Sequence, residues 1–206
     1  MKDSLLFKHI LVEPTKGKGY RYSPLMISLL SKVSNVSPNI IAHTKIESRS
    51  YRKYIPFYVA SKGGGAITLG NQNWQTITFT ENFFSTDQSL YNNRAYANDM
   101  QSWLRMSSHE VGHLAHTHRY KSFIIYLLVF AYQYIRYGHD AAPLEIEAEI
   151  GTSELYRFDN FMRRNNYSNG TISLLTSDKT EAEKILALDE LWNLFQSDSD
   201  NSMAAT

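Results

Sequence analysis

The stretch Ser107-Ser108-His109-Glu110-Val111-Gly112-His113-Leu114-Ala115-His116 constrains this chain more than any other, because it contains His-Glu-x-x-His. Residues four apart on a helix lie one above the other on the same face. His109 and His113 therefore aim their imidazoles at a common point, within the reach that two ligands of a tetrahedral zinc require. Glu110, beside the first histidine, is placed to take a proton from water activated at that point. Trp103, Leu104, Val111, Leu114 and Ala115 form an apolar stripe at helical spacing, so the motif is expected on a buried helix over residues 97–117. These residue types at this spacing point to a zinc hydrolase, and more narrowly to a metallopeptidase.

A catalytic zinc held by two histidines needs a third protein ligand and leaves the fourth position to water. The chain has no cysteine, so that ligand must be His, Asp or Glu, and disulfide stapling is excluded. Glu145 and Glu149 lie 32 and 36 residues beyond His113. The helix expected over residues 144–158 carries an apolar stripe of Leu144, Ala148, Gly151, Leu155 and Phe158. Glu145 and Glu149 share a face that flanks this stripe and are expected to face the interior. A carboxylate there is costly unless it is paired or bound to metal. Glu147 points elsewhere. His116 continues the metal face by one turn, with His118 just beyond it. His139, Tyr137 and Tyr156 are the nearest donors in sequence for a developing oxyanion.

With its Glu-x-x-x-Glu helix downstream, the motif resembles the gluzincin zinc metallopeptidases, the thermolysin-like clan. It resembles most the small His-Glu-x-x-His domains attached to bacterial polymorphic toxins and injection-system cargo. The resemblance covers about residues 66–158. It implies that Glu145 is the third zinc ligand and that Glu149 orients a zinc-bound imidazole, that of His109, although the clan's usual residue at this position is Asp. It also implies an edge strand above the motif helix, against which an extended peptide or protein substrate lies by β-addition. Residues 66–69 and 74–79 are the two candidates for that strand. An injected effector with a host or rival-cell target is one version of this reading. A non-catalytic binding or structural module with a vestigial metal site is the alternative, and a hydrolase of other amides is a third.

The rest of the chain predicts an α+β fold, mostly helical, with a small β-hairpin or sheet preceding the motif helix. Ser23-Pro24 is a helix start, and the helix that follows ends near Asn35, before Pro38. Residues 40–58 are not assigned, though Pro56 argues against a central strand. Gly63-Gly64-Gly65 is a turn, and the alternating residues 66–69 and 74–79 form adjacent strands or a hairpin. Residues 87–93 are loop, 119–137 a second helix ended by Gly138, and 163–170 a polar loop. An amphipathic helix over 181–195 shows Ala182, Ile185, Leu188, Trp192 and Phe195 on one side. We read a single domain over residues 1–196, with an N-terminal arm (1–22), a core (66–158), a C-terminal helix (179–196) and a disordered tail (197–206).

A net charge of +1 with scattered Lys and Arg leaves no footprint for nucleic acid. Fourteen tyrosines suit a wet cleft or an adhesive surface. The apolar run 123–135 is too short to span a bilayer and reads as a buried core helix, with an interfacial segment in membrane contact as the second reading. The N-terminus has too short an apolar run for a signal peptide, so the chain is expected in the cytoplasm at synthesis. Substrate preference and oligomeric state are not written in the sequence.

Overall fold

The computed structural model describes residues 12–15, 19–48, 65–79 and 100–204. The expectations for Pro56, Gly63, Gly64, the loop 87–93 and the first residues of the motif helix lie outside these. Strands β1 (Val12–Pro14) and β2 (Tyr20–Tyr22) pair antiparallel, so part of the expected arm belongs to the sheet. Helix α1 (Pro24–Ser34) starts as its sequence dictates. The Ser23 hydroxyl accepts the Met26 N–H at 3.2 Å, Pro24 occupies the first turn, and Asn35 ends the helix at φ 54°. Pro38 then opens a further short helix, α2 (Pro38–His43), which leads into β3 (Lys45–Ser48).

The expected hairpin is β4 (Ala66–Asn71) and β5 (Trp74–Phe79), turning at Gln72 and Asn73. The sheet has the order β1-β2-β3-β5-β4, with β3 parallel to β5 and the other pairs antiparallel. The fold is therefore α+β, as expected. Among the described residues β5 lies inside the sheet and β4 at its edge, next to the motif helix, so of the two candidate strands β4 is the one at an edge.

Among the described residues, five helices follow: α3 (Met100–Tyr120), α4 (Phe123–Tyr137), α5 (Pro143–Arg164), α6 (Thr171–Thr176) and α7 (Glu181–Ala204). Lys121, at φ 55°, breaks α3 from α4, and the Ser122 hydroxyl caps the new helix. Thr180 and Glu183 open α7 with a reciprocal capping box: Glu183 N–H donates to the Thr180 hydroxyl, and Thr180 N–H to the Glu183 carboxylate. The α7 backbone stays helical to Ala204, where a disordered tail was expected from Ser197. The short α6 was not anticipated.

The core forms where one face of the sheet (Ile46, Ile77, Phe79) meets α1 (Met26, Leu29, Leu30) and α3 (Trp103, Leu104, Val111, Leu114). All five residues of the expected α5 stripe are buried. Phe158, Trp192 and Phe195 close the far side with ring centroids 5.1 to 5.6 Å apart.

Helix α4 corrects the reading of residues 123–135 as a core helix. Tyr126 alone in it is buried, whereas Ile124 is 67% and Ile135 85% exposed. A run apolar on all sides specifies no face by hydrophobicity, and here the few polar groups within it choose one. The Tyr126 hydroxyl donates to the Thr68 carbonyl at 3.3 Å, and the Gln133 side chain accepts the Leu144 N–H at 3.0 Å. With Phe130 between them, these anchors recur at steps of four and three. No helix among the described residues is long and apolar enough to cross a membrane.

Candidate metal centre

Two glycines set the geometry. A Cβ on Gly112 would lie 2.8 Å from both Cα and the carbonyl oxygen of Ala148, and one on Gly151 would lie 2.8 Å from the Ser108 carbonyl oxygen. Helices α3 and α5 therefore meet backbone against backbone, at a distance no larger residue permits. That approach brings the carboxylates flanking Ala148 onto the imidazoles of α3.

His109 Nε2 lies 3.0 Å from Glu145 Oε2, His113 Nε2 lies 3.4 Å from the same oxygen, and the two Nε2 atoms are 3.3 Å apart. Ligand atoms bonded to a tetrahedral zinc at about 2.0–2.1 Å are separated by roughly 3.3–3.4 Å. Three donors from two helices thus form a triangle that matches one face of such a tetrahedron. The outer nitrogens are also held. His109 Nδ1 lies 3.0 Å from Glu149 Oε2, and His113 Nδ1 lies 3.2 Å from His116 Nδ1. His109, His113 and Glu145 are the residues that could hold a metal, and their donor set fits zinc.

Without a metal, the charges of these groups are coupled to one another. Burial opposes the protonation of His109, but its hydrogen bond to the Glu145 carboxylate and the nearby Glu110 charge, with Glu149 on the other ring nitrogen, overcome it and push His109 up to about 9. Burial also opposes ionisation of Glu145, yet its hydrogen bonds with His109 and His113 hold it well below the usual carboxylate range. Burial, joined by the neighbouring His113, pushes His116 down to about 4.

Glu110 is 5% exposed and turns toward β4. The Thr68 hydroxyl lies 2.7 Å from the Glu110 carboxylate and 2.9 Å from the Glu110 carbonyl oxygen, and its single proton serves one of them at a time. A cleft of ≈ 810 Å³ opens over the cluster, between Gly65 and Ala66 on one side and the start of α5 on the other. His139 lines this cleft, with Nε2 3.8 Å from Glu145 Oε2, but it is exposed and its Nδ1 pairs with Asp140. Tyr137 and Tyr156 are exposed and do not line it.

The interior position expected for Glu149 holds only in part, because its side chain is 46% exposed at the cleft rim, whereas Glu145 is buried. Glu147 does point away from the triangle, toward His116 and Arg119. Sequence reasoning missed Thr68, which only the fold brings to Glu110, and Arg105, which lines the cleft one turn before His109. It also passed over Gly112, although a glycine between two candidate ligands inside a helix is itself a signal of close approach.

A pH dependence follows for the metal-free protein. His109 is raised above its ordinary 6.5, so its stabilising contribution is complete below pH 6.5 and is lost as pH rises through about 9. His116 is lowered from 6.5, so its contribution is complete above pH 6.5 and is lost as pH falls toward about 4. Glu145 contributes fully above its ordinary 4.5 and loses that contribution only in stronger acid. Melting temperature in the presence of chelator should therefore peak near pH 6.5 and decline toward both pH 9 and pH 4. A continuous rise from pH 6.5 to 9 would contradict this assignment.

Comparison of the chain with protein-family models, with curated proteins and with solved structures finds no match, so the functional reading rests on this geometry.

Proposed function

We propose that the protein is a zinc-dependent metallopeptidase. The observation that carries this reading is the triangle of His109 Nε2, His113 Nε2 and Glu145 Oε2, spaced as ligands of one tetrahedral ion, with the Glu110 carboxylate one residue from the first ligand. When bound, zinc supplies Lewis-acid polarisation of a scissile carbonyl and acidifies water beside it.

The chain's own residues do the rest. Glu110 takes the proton of the attacking water and passes it to the leaving amine. Thr68 holds the Glu110 carboxylate in one rotamer through its 2.7 Å hydrogen bond. Glu149 holds the His109 ring through Nδ1. Substrate is an extended peptide, added to the edge of β4 where that strand borders the cleft. Because Tyr126 already occupies the outward carbonyl of Thr68, the peptide pairs at the Gly65–Ala66 end. His139 and Arg105 line the same cleft and are the candidate donors to the developing oxyanion.

Thr68→Val removes the hydroxyl and keeps the shape. A hydrogen bond to a charged group contributes about 1.5–3 kcal/mol, so the rate should fall about tenfold or more while zinc stays bound. An unchanged rate would remove Thr68 from the mechanism.

The reading itself is tested with a peptide library and the zinc-loaded protein, locating new termini by mass spectrometry. Cleavage that stops with chelator and returns with zinc is expected. A protein that holds zinc and cuts no peptide would instead be the binding or structural module.

A further inference from the structure

Among the described residues no carboxylate lies against the outer nitrogen of the second histidine of the triangle, and the structure gives it a longer connection. His113 Nδ1 lies 3.2 Å from Nδ1 of His116, a side chain only 2% exposed. His116 Nε2 lies 3.1 Å from Glu147 Oε2. The guanidinium of Arg119 donates to both Glu147 oxygens, at 2.7 and 3.3 Å. We propose that His116 and Glu147 are positioning residues for the metal centre, forming a relay that fixes the tautomer and ring orientation of His113. This inference rests on the zinc-site reading above.

Proton counting gives the relay its direction. A metal ligand offers the lone pair of Nε2, so the proton of a neutral His113 resides on Nδ1. Among the described residues that N–H has one acceptor within reach, His116 Nδ1, which must therefore be unprotonated. The proton of His116 is then on Nε2 and donates to Glu147. Each imidazole is left with one arrangement, and the chain ends on a carboxylate. A carboxylate at the end of such a chain makes each preceding nitrogen a better acceptor and the ligating nitrogen a better donor. His109 receives the same treatment directly from Glu149.

One stretch of α5 then serves the whole site. Glu145 is the ligand, Glu149 holds one imidazole, and Glu147 holds the other through His116. The alternation follows from helix geometry, since Glu147 is rotated by roughly 200° from Glu145. The Gly112–Ala148 contact keeps α5 close enough for carboxylates on both of its flanks to reach α3.

The test measures zinc affinity by competition with a chromophoric chelator, together with the d–d absorption of the cobalt-substituted protein. Loss of an outer partner of a metal ligand typically weakens metal binding about 10- to 100-fold. His116→Leu, which removes acceptor and donor together, is expected in that range with an altered cobalt spectrum. His116→Asn places an amide oxygen near the position of Nδ1, so it keeps the acceptor for His113 and should recover much of the affinity. Glu147→Gln, at a half-exposed position that leaves the core untouched, should weaken binding severalfold and shift the cobalt bands. A purely structural role predicts no such rescue by asparagine and no effect of Glu147→Gln. Wild-type affinity in folded His116→Leu, or in Glu147→Gln, overturns the relay. Absence of zinc binding by the wild type would instead overturn the site on which the relay stands.

Discussion

Glu110→Gln is expected to keep its zinc and to lose roughly a thousandfold of the peptidase rate, the middle of the range for general acid–base catalysis. The substitution is isosteric, and the Thr68 hydroxyl at 2.7 Å can donate to the amide oxygen as it does to the carboxylate. The burial of Glu110 beside β4 is therefore preserved, as are the ligands on either side of it in the motif. What the variant lacks is a group able to accept a proton from water. Steady-state rates on any peptide the wild type cleaves, paired with metal analysis of the same sample, give the comparison. Retained activity with zinc present would remove Glu110 as the base.

Gly112→Ala is the second large effect, and its sign is diagnostic. At an ordinary helix interior, replacing Gly by Ala stabilises by up to about 1 kcal/mol. Here the new methyl would meet two backbone atoms of Ala148 at 2.8 Å, and backbone cannot rotate aside as a side chain can. Overpacking of this kind costs about 1–3 kcal/mol, so a net loss of stability is expected. Zinc affinity should fall by more than tenfold as well, because the helices must part at the contact that sets Glu145 3.0 Å from His109. Denaturant unfolding of the metal-free variant and chelator competition measure the two effects separately. A variant more stable than wild type with equal zinc affinity would contradict the role given to the backbone contact.

The parts of the molecule that were legible in advance are those whose physics is local. Ser23, Pro24 and Asn35 bound α1 through capping chemistry. The alternation around Gly70 to Asn73 marks a hairpin. His109 and His113 share a face because of the helical repeat; the absence of cysteine and the cost of an acid beside a buried stripe narrowed the third ligand to Glu145 or Glu149, and the resemblance to the gluzincins implied Glu145.

What escaped the sequence depends on contacts between distant segments. Thr68 reaches Glu110 across 42 residues, and Glu147 reaches His116 across 31. The parallel pairing of β3 with β5 has no local signature, so residues around Ile46 carried no assignment. Helix α4 shows the limit most clearly: its composition is that of a core, but Tyr126 and Gln133 hold one face to the protein and leave Ile124, Leu128 and Ile135 exposed.

The central claim is that three side chains from two helices hold one zinc ion. Its most direct test is metal content by mass spectrometry, on protein purified without chelators or affinity metal, comparing wild type with Glu145→Ala. About one zinc per chain is expected in the wild type, lost or sharply weakened in the variant. Zinc retained equally by the variant, or none bound by the wild type even after zinc is added back, would contradict it.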